Sequence, residues 1–91
     1  MIIARTYYIS GLVQGVGFRF FTQRAAAGHQ VLGRVKNLND GRVEVYVEGH
    51  EKAVMDFYND LLAGPVYARV EDIEEIVQEP SGKYKAFLIG K

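Results

Sequence analysis

The chain has 91 residues, 48% of them hydrophobic and 24% charged, which predicts one globular domain over residues 1–91 and excludes a disordered or fibrous protein. Eleven basic and eleven acidic residues give a net charge of zero, so neither a nucleic acid nor a membrane is expected as a partner. The absence of cysteine excludes disulfides, thiolate nucleophiles and cysteine metal ligands, and it fits a cytoplasmic location. No apolar run approaches the roughly 20 residues of a membrane-spanning helix, and no export signal is visible.

The first part of the chain predicts a strand followed by a helix. Residues Ile2–Leu12 are rich in β-branched and aromatic side chains, which favour a strand. Apolar side chains then recur at spacings of three and four over Phe18–Ala27, a pattern that is typical of a helix. Gly28 follows the alanine run and is expected to end this helix.

A hairpin and a second helix are predicted next. Apolar and polar residues alternate over 31–36 and again over 43–48. The Asp40-Gly41 pair between these segments is typical of a β-hairpin turn. Apolar residues then line one face of a helix over Val54–Leu62, and a Gly-Pro pair ends that helix.

The remaining segments complete the predicted fold. Residues Ala68–Glu79 fit a helical period in part, but the alternation through Ile73 and Val77 favours a strand, and Ala86–Ile89 predicts a short final strand. The order of strand, helix, strand, strand, helix and strand is typical of an α+β protein. We therefore expect a ferredoxin-like βαββαβ two-layer sandwich, with a mainly antiparallel sheet and two helices on one face.

This topology would bring two distant segments together. The third strand of such a fold lies between the first and the second, which therefore run parallel and end at the same edge of the sheet. The loop after Leu12 and the side chain of Asn37 are expected at that edge. Asn37 shares the parity of Val31 and Val35, so its side chain should leave the sheet on the helix-covered face.

The segment between the first strand and the first helix has the character of an anion-binding loop. Its two glycines allow successive backbone N–H groups to point inward, and the helix start and an arginine add further positive groups. The predicted phosphate-binding loop consists of Gln14, Gly15, Val16, Gly17, Phe18 and Arg19. A P-loop NTPase and a GxGxxG fingerprint are excluded, since no Gly-Lys-Ser/Thr follows and Phe20 replaces the third glycine. By itself the segment fits a tight turn with a solvated arginine equally well.

Two motifs resemble those of the acylphosphatase family. Residues 11–19 are similar to its signature Gly-x-Val-Gln-Gly-Val-Gly-Phe-Arg. Residues 33–43, with Gly49, resemble its second motif, Gly-aromatic-Val-basic-Asn-x-x-x-Gly-x-Val followed by a later glycine. The similarity continues to Phe87 and so covers essentially the whole chain. One position departs from the family pattern, since Arg34 stands where an aromatic residue is usual, which bears on packing or substrate contacts on that face.

The resemblance implies a small acylphosphatase that hydrolyses the carboxyl–phosphate bond of a small acyl phosphate to a carboxylate and inorganic phosphate. The backbone N–H groups of residues 15–19 and the Arg19 guanidinium would bind the phosphoryl oxygens, and Asn37 would orient the attacking water. Arg19 and Asn37 are thus the expected catalytic residues of a monomer that uses no covalent intermediate, metal or cofactor. Without the motifs, Arg19 could instead form a surface ion pair, and Asn37 could be a turn residue.

Other interpretations stay open at the level of sequence. A non-catalytic anion-binding or regulatory module of the same fold would carry the same loop, and a single-stranded RNA binder could use Tyr7 and Tyr8 on the sheet. His29 and His50 have no spaced partners, so neither a zinc site nor a phosphohistidine is expected. The acidic residues within 71–79 are most simply a solvated strand face.

Overall fold

The computed structural model describes residues 1–90, in which a five-stranded sheet carries two helices on one face. The elements in chain order are β1 (Ile2–Leu12), α1 (Phe18–His29), β2 (Leu32–Asn37), β3 (Val43–His50), α2 (Glu51–Ala63), β4 (Arg69–Gln78) and β5 (Phe87–Ile89). The strand order is β4-β1-β3-β2-β5, and all neighbours pair antiparallel except β2 and β5. The predicted ferredoxin-like α+β sandwich is confirmed.

The central strand sets the direction of its neighbours. β3 pairs antiparallel with both β1 and β2, with Val47 opposite Arg5 on one side and Gly33 on the other. β1 and β2 therefore run parallel and end at the same edge of the sheet, as β5 does. We call this edge the carboxyl rim: it is where β1, β2 and β5 end, at Leu12, Asn37 and Ile89.

The core lies between the sheet and the helices, and it fixes the start of α1 at the carboxyl rim. Phe57 of α2 and Phe87 of β5 have ring centroids 5.7 Å apart. Phe18, the first residue of α1, is 1% exposed and belongs to the same cluster. The buried cluster consists of Tyr7, Ile9, Val13, Phe18, Ala26, Val31, Val35, Val43, Val45, Val47, Val54, Phe57, Leu61 and Phe87.

Both helices extend beyond their predicted bounds. The expectation that Gly28 ends the first helix is wrong, because α1 continues to His29 and Gln30 closes it in the left-handed conformation, with φ of 58°. The N–H groups of Gln30 and Val31 donate to the carbonyl oxygens of the preceding turn, which stops the helix there. α2 begins at Glu51, where an acidic side chain favours a helix start.

Tyr7 and Tyr8, the two candidates for stacking with RNA bases, lie on opposite faces of β1. Tyr7 is 1% exposed, and its ring lies 5.2 Å from that of Tyr58, so it belongs to the core. Burial, and secondly the Glu75 carboxylate, raise the pKa of Tyr7 above its ordinary value. Tyr8 lies on the open face with the Arg42 guanidinium 4.9 Å from its ring centre. Only Tyr8 of this pair could therefore meet a base.

Residues 79–86 connect β4 to β5 across the open face of the sheet, because these two strands lie at opposite edges. Glu48 of β3 is 4% exposed and anchors this connection. Its carboxylate accepts hydrogen bonds from the backbone N–H groups of Ser81 at 2.8 Å and Gly82 at 3.3 Å, and from the Tyr46 hydroxyl at 3.0 Å. The connection in turn delivers β5 to its place beside β2.

Arg34, the residue that departs from the family pattern, also lies on the open face. Its Nε donates to the Tyr84 hydroxyl at 3.1 Å, and its Nη1 lies 3.5 Å from a carboxylate oxygen of Glu44. The side chain is therefore on the opposite face of β2 from Asn37. It contributes to packing of the β4–β5 connection and not to the candidate site.

We expect Glu48→Ala to lower the free energy of unfolding by about 1–3 kcal/mol, because the Gly82 N–H loses its acceptor and the Ser81 N–H keeps only the Tyr46 hydroxyl. Urea unfolding monitored by circular dichroism measures the change. Glu71→Ala, which removes an exposed carboxylate of β4, is the control and should stay within about 0.5 kcal/mol of the wild type. Equal stability of the two variants would contradict an anchoring role for Glu48.

Candidate active site

The loop between β1 and α1 owes its shape to two glycines. Gly15 and Gly17 have φ of 75° and 77°, in the left-handed region that side chains with a Cβ rarely adopt. A Cβ built on either residue would meet nothing within 4 Å, so the requirement for glycine is conformational and not steric crowding. Gly17 precedes α1 without a side-chain cap. The N–H groups of the first turn are therefore left for another acceptor.

Gln14 fastens this loop to the neighbouring hairpin. Its Nε2 donates to the carbonyl oxygens of Leu38 at 2.8 Å and Arg42 at 2.9 Å. These two residues also close the turn after β2, since the Leu38 N–H donates to the Arg42 carbonyl at 2.8 Å. The loop that carries Gly15 and Gly17 is thus held beside Asn37, the residue before Leu38.

Arg19 lies in the first turn of α1 and reaches toward the end of β5. Its Nη1 donates to the Gly90 carbonyl oxygen at 3.0 Å, and the Gly90 N–H donates to the Val35 carbonyl at 2.7 Å. No Asp or Glu among residues 1–90 forms an ion pair with Arg19. The guanidinium is therefore anchored at the carboxyl rim by a neutral carbonyl, which leaves its charge uncompensated by a carboxylate of this segment.

Asn37 is the last residue of β2 and has the parity of the core residue Val35. Its Oδ1 is buried and has no hydrogen-bond partner in residues 1–90. A buried amide oxygen without a donor costs about 1–3 kcal/mol, so proteins seldom keep one without a use for it. The acceptor capacity of this oxygen is therefore unused among the described residues.

The structure thus brings the predicted site residues to one edge of the sheet. Gln14 links the loop to Leu38, the residue after Asn37. Arg19 is linked through Gly90 to Val35, which lies two residues before Asn37. The sequence contains no signal for the carbonyl groups that make these links, because every residue carries the same main-chain acceptor. The arrangement combines N–H donors, a cation and an unpaired acceptor, which suits a small oxyanion and a water molecule.

The hairpin turn after Asn37 is stiffened by Asp40. Its carboxylate accepts hydrogen bonds from the backbone N–H of Arg42 at 3.0 Å and from the Arg42 Nε at 2.9 Å. The backbone hydrogen bond, followed by the bond to the Arg42 side chain, lowers the pKa of Asp40 below its ordinary value. This turn supplies the carbonyl groups that Gln14 binds.

Two further observations bear on other classes of site. In the part of the chain that the structure describes, no three His, Asp or Glu side chains converge as metal ligands. His29 Nε2 instead lies 2.7 Å from Oδ2 of Asp60, across the two helices. Neither α1 nor α2 is long and apolar enough to cross a membrane.

Comparison of the sequence and the structure with known proteins identifies the family of this chain. The family model described as acylphosphatase matches residues 5–89. An acylphosphatase of Chloroflexus aurantiacus is 46% identical over 82 residues, which make up 90% of this chain and 89% of that protein. The crystal structure of an acylphosphatase from Bacillus subtilis matches with a TM-score of 0.94 at 35% identity over 100% of both chains. Full-length HypF, in a phosphate- and nucleotide-bound crystal structure, matches with a TM-score of 0.88 at 31% identity over 100% of this chain and 12% of that one.

The chain therefore belongs to the acylphosphatase family. The expected family and the expectation of an acylphosphatase enzyme are both confirmed. The roles of Arg19, Asn37 and the individual loop residues are not tested by these similarities, and they stay predictions.

We expect Gln14→Ala to lower the free energy of unfolding by about 1–2 kcal/mol, since two carbonyl groups each lose a donor but keep a backbone partner. Amide hydrogen exchange should show faster exchange at Leu38 and Gly41, whose N–H groups close the turn. Gln23→Ala removes a single bond to the Phe87 carbonyl and serves as the control. Unchanged exchange at the turn in the Gln14 variant would disprove the clamp.

The lowered pKa of Asp40 predicts a pH-dependent contribution to stability. Its charged form is favoured in the folded state, so this contribution is present above the ordinary pKa of 3.8 and is lost as the pH falls below that value. The difference in unfolding free energy between the wild type and Asp40→Asn should therefore shrink on acidification from pH 6 to pH 3, which are conditions of roughly full and partial ionisation. A difference that grows on acidification would refute this assignment.

Proposed function

We propose that this chain hydrolyses the carboxyl–phosphate bond of small acyl phosphates by direct attack of water at the carboxyl rim. The observation that carries the proposal is the buried Oδ1 of Asn37, which lacks a partner in the described residues. The end of β2 that carries Asn37 is linked to the loop through Gln14 and to Arg19 through Gly90. An acceptor oxygen next to an oxyanion site is what a water molecule needs in order to be held for attack on phosphorus.

Binding of the phosphoryl group would fall to residues 15–19 and the Arg19 guanidinium. The left-handed conformations of Gly15 and Gly17 and the uncapped start of α1 supply N–H donors, and Arg19 supplies a planar cation. In phosphoryl transfer the negative charge spreads over the equatorial oxygens, so donors that are already in place lower the barrier. The anchoring of Arg19 to Gly90 supports this role, because it reduces the conformational freedom of the guanidinium before substrate binds.

The attacking water would donate a hydrogen bond to Oδ1 of Asn37. The water oxygen forms the new bond to phosphorus, and the bond between phosphorus and the acyl oxygen breaks, which releases a carboxylate. An amide cannot accept the proton at neutral pH, so the proton passes to a phosphoryl oxygen and leaves with inorganic phosphate. A carboxylate is a good leaving group, and this chemistry therefore requires no strong general acid.

A second candidate function is a non-catalytic anion-binding or regulatory module of the same fold. The similarity of this chain to 12% of the HypF chain favours it, since that segment belongs to a larger protein. The acylphosphatases that match along nearly their whole length favour the enzyme. Phosphate binding without hydrolysis of any acyl phosphate would support the non-catalytic module and contradict the enzyme.

Further expectations, on domains, oligomeric state, location and partners, complete the proposal. We expect residues 1–91 to act as a single domain, the protein to be a monomer, and its location to be the cytoplasm. The substrate would be a small molecule and inorganic phosphate the product, with neither a nucleic acid nor a membrane as a partner. These expectations rest on composition and on the family, and sedimentation at working concentration tests the oligomeric state.

Benzoyl phosphate hydrolysis, followed by ultraviolet absorbance, tests the assigned roles. Asn37→Ala should lower kcat by about 100- to 1000-fold, while inhibition by inorganic phosphate changes by less than about 3-fold, because the residue acts on water. Arg19→Ala should lower kcat by a similar factor and also weaken inhibition by phosphate.

Arg24→Ala is the matched control, since it removes an exposed arginine of α1 just over one turn from Arg19. Its activity should stay within about 2-fold of the wild type. Full activity in Asn37→Ala or Arg19→Ala would remove that residue from the mechanism. Absence of hydrolysis in the wild type, with phosphate still bound, would overturn the enzymatic function itself.

A further inference from the structure

Gln23 lies one helical turn beyond Arg19 and makes a contact that the proposed chemistry does not use. Its Nε2 donates to the Phe87 carbonyl oxygen at 3.1 Å, and the side chain is half-buried. Residues four positions apart lie on the same face of a helix. Arg19 and Gln23 therefore both extend from one face of α1, and each donates to a carbonyl group within residues 87–90.

The order of these two contacts matches the directions of the helix and the strand. α1 begins at the carboxyl rim and runs away from it, whereas β5 runs toward the rim and ends there. Arg19, the earlier residue of the helix, accordingly meets Gly90 after the end of the strand, and Gln23 meets Phe87 at its start. The two bonds begin about 6 Å apart along the helix axis. They therefore fix both the position and the direction of β5 relative to α1.

β5 depends on this attachment because few other contacts hold it. The strand has three residues, lies at the edge of the sheet and pairs with β2 alone. Residues 79–86 before it form neither helix nor strand. The buried ring of Phe87 holds its start, and the bond from the Gly90 N–H to the Val35 carbonyl holds its end. A short edge strand opens more readily than a central one, so the place of the Gly90 carbonyl depends on the bond from Gln23.

The Gly90 carbonyl matters because it orders the Arg19 side chain. Among the described residues it is the only hydrogen-bond partner of the guanidinium. A guanidinium has five N–H donors, so this one bond leaves the others for phosphoryl oxygens. A side chain that is ordered before its ligand arrives loses less conformational entropy on binding. Displacement of the Gly90 carbonyl would therefore weaken the binding of phosphate.

We infer that Gln23 is a positioning residue for phosphate binding. By holding β5 against α1 at Phe87, it places the Gly90 carbonyl where that group orients the Arg19 guanidinium. The inference rests on the proposed role of Arg19 in the hydrolysis of acyl phosphates. It extends the site to a residue that acts through Arg19 and not through contact with the ligand.

A second interpretation assigns Gln23 to a ligand-binding groove. The residue lines a groove of about 600 Å³ between α1 and β5, together with Phe20, Val31 and Phe87 among others. The Nε2 that a ligand would need is already bound to the Phe87 carbonyl, which favours positioning. The two roles also differ in their effect on substrates. An acyl group in the groove would make Gln23→Ala change the ratio of activities toward benzoyl and acetyl phosphate, whereas an effect through Arg19 leaves that ratio unaltered.

Inhibition by inorganic phosphate measures the effect at Arg19. Gln23→Ala should raise the inhibition constant of phosphate by about 5-fold and lower kcat/KM for benzoyl and acetyl phosphate by about the same factor, the effect of one ordinary hydrogen bond. Amide exchange should be faster at Gly90 and unchanged at Leu38. Arg24→Ala, at the next and exposed position of α1, is the control and should leave the inhibition constant within about 2-fold of the wild type.

A double-mutant cycle distinguishes action through Arg19 from a general loss of stability. In the Arg19→Ala background, phosphate affinity is measured by phosphorus NMR titration. The additional change Gln23→Ala should weaken that affinity by less than about 2-fold, because the group that it positions is already absent. A loss of about 5-fold in both backgrounds would overturn the inference.

Gln23→Glu supplies a test that depends on pH. The carboxylate has no donor for the Phe87 carbonyl, whereas the protonated acid donates an O–H below its ordinary pKa of about 4.3. Relative to the wild type at the same pH, phosphate affinity should be about 5-fold weaker near pH 6 and should recover to within about 2-fold near pH 4. An equal deficit at both pH values would show that the donor to Phe87 does not matter.

The outcomes separate this inference from the proposed function. If the wild type binds phosphate but hydrolyses neither substrate, the proposed hydrolysis fails, and the phosphate affinities of the variants still decide the inference. If the wild type hydrolyses both and Gln23→Ala keeps its phosphate affinity and both rates, Gln23 does not position Arg19. A changed ratio of benzoyl to acetyl phosphate activity, with unchanged phosphate inhibition, would assign Gln23 to the groove and overturn the inference.

Discussion

The position of β3 between β1 and β2 is the constraint on which the candidate site depends. Because β3 pairs antiparallel with both neighbours, β1 and β2 must run parallel, and the residues that follow them emerge at the same rim. A simple up-and-down order of the same strands would place the loop and Asn37 at opposite ends of the sheet. The sheet thus brings the loop after β1 and the end of β2 within about 10 Å of each other, and hydrogen bonds then fix their relative position.

Main-chain carbonyl groups accept the hydrogen bonds that fix these two segments. Gln14 binds the carbonyls of Leu38 and Arg42, and Arg19 binds that of Gly90, so side chains of the loop and of α1 are tied to the ends of β2 and β5. A neutral carbonyl holds a guanidinium without neutralising it, whereas a carboxylate would compete with a bound oxyanion. The guanidinium is thereby ordered while no carboxylate of residues 1–90 neutralises its charge.

The two faces of the sheet are connected through β5. Glu48 on the open face anchors residues 79–86, and these deliver β5 to β2, where Gly90 receives Arg19. The buried carboxylate is fully supplied with donors, whereas the buried oxygen of Asn37 has none in residues 1–90. The Glu48 carboxylate, which has a structural role, is thus hydrogen-bonded, whereas Oδ1 of Asn37, where water is proposed to react, has no partner in residues 1–90.

The element order and the fold could be predicted from the sequence, because hydrophobic periodicity and the Asp40-Gly41 turn pair are local signals. The family followed from motifs, and the face on which Asn37 lies followed from strand parity. The prediction that the first helix ends at Gly28 was wrong, because a glycine only weakens a helix. The helix ends before Gln30, where the N–H groups of Gln30 and Val31 donate to carbonyl oxygens of the preceding turn.

The sequence by itself therefore determined the family and the fold, and it predicted that residues 14–19 bind phosphate. Only the tertiary structure decided which carbonyl groups hold Gln14 and Arg19, and that Val66 and Tyr67 are exposed in the turn before β4. The physical reason is the same in each case. Every residue carries the same main-chain acceptor and an apolar side chain can be buried or displayed, so the choice depends on which segments the completed sheet brings into contact.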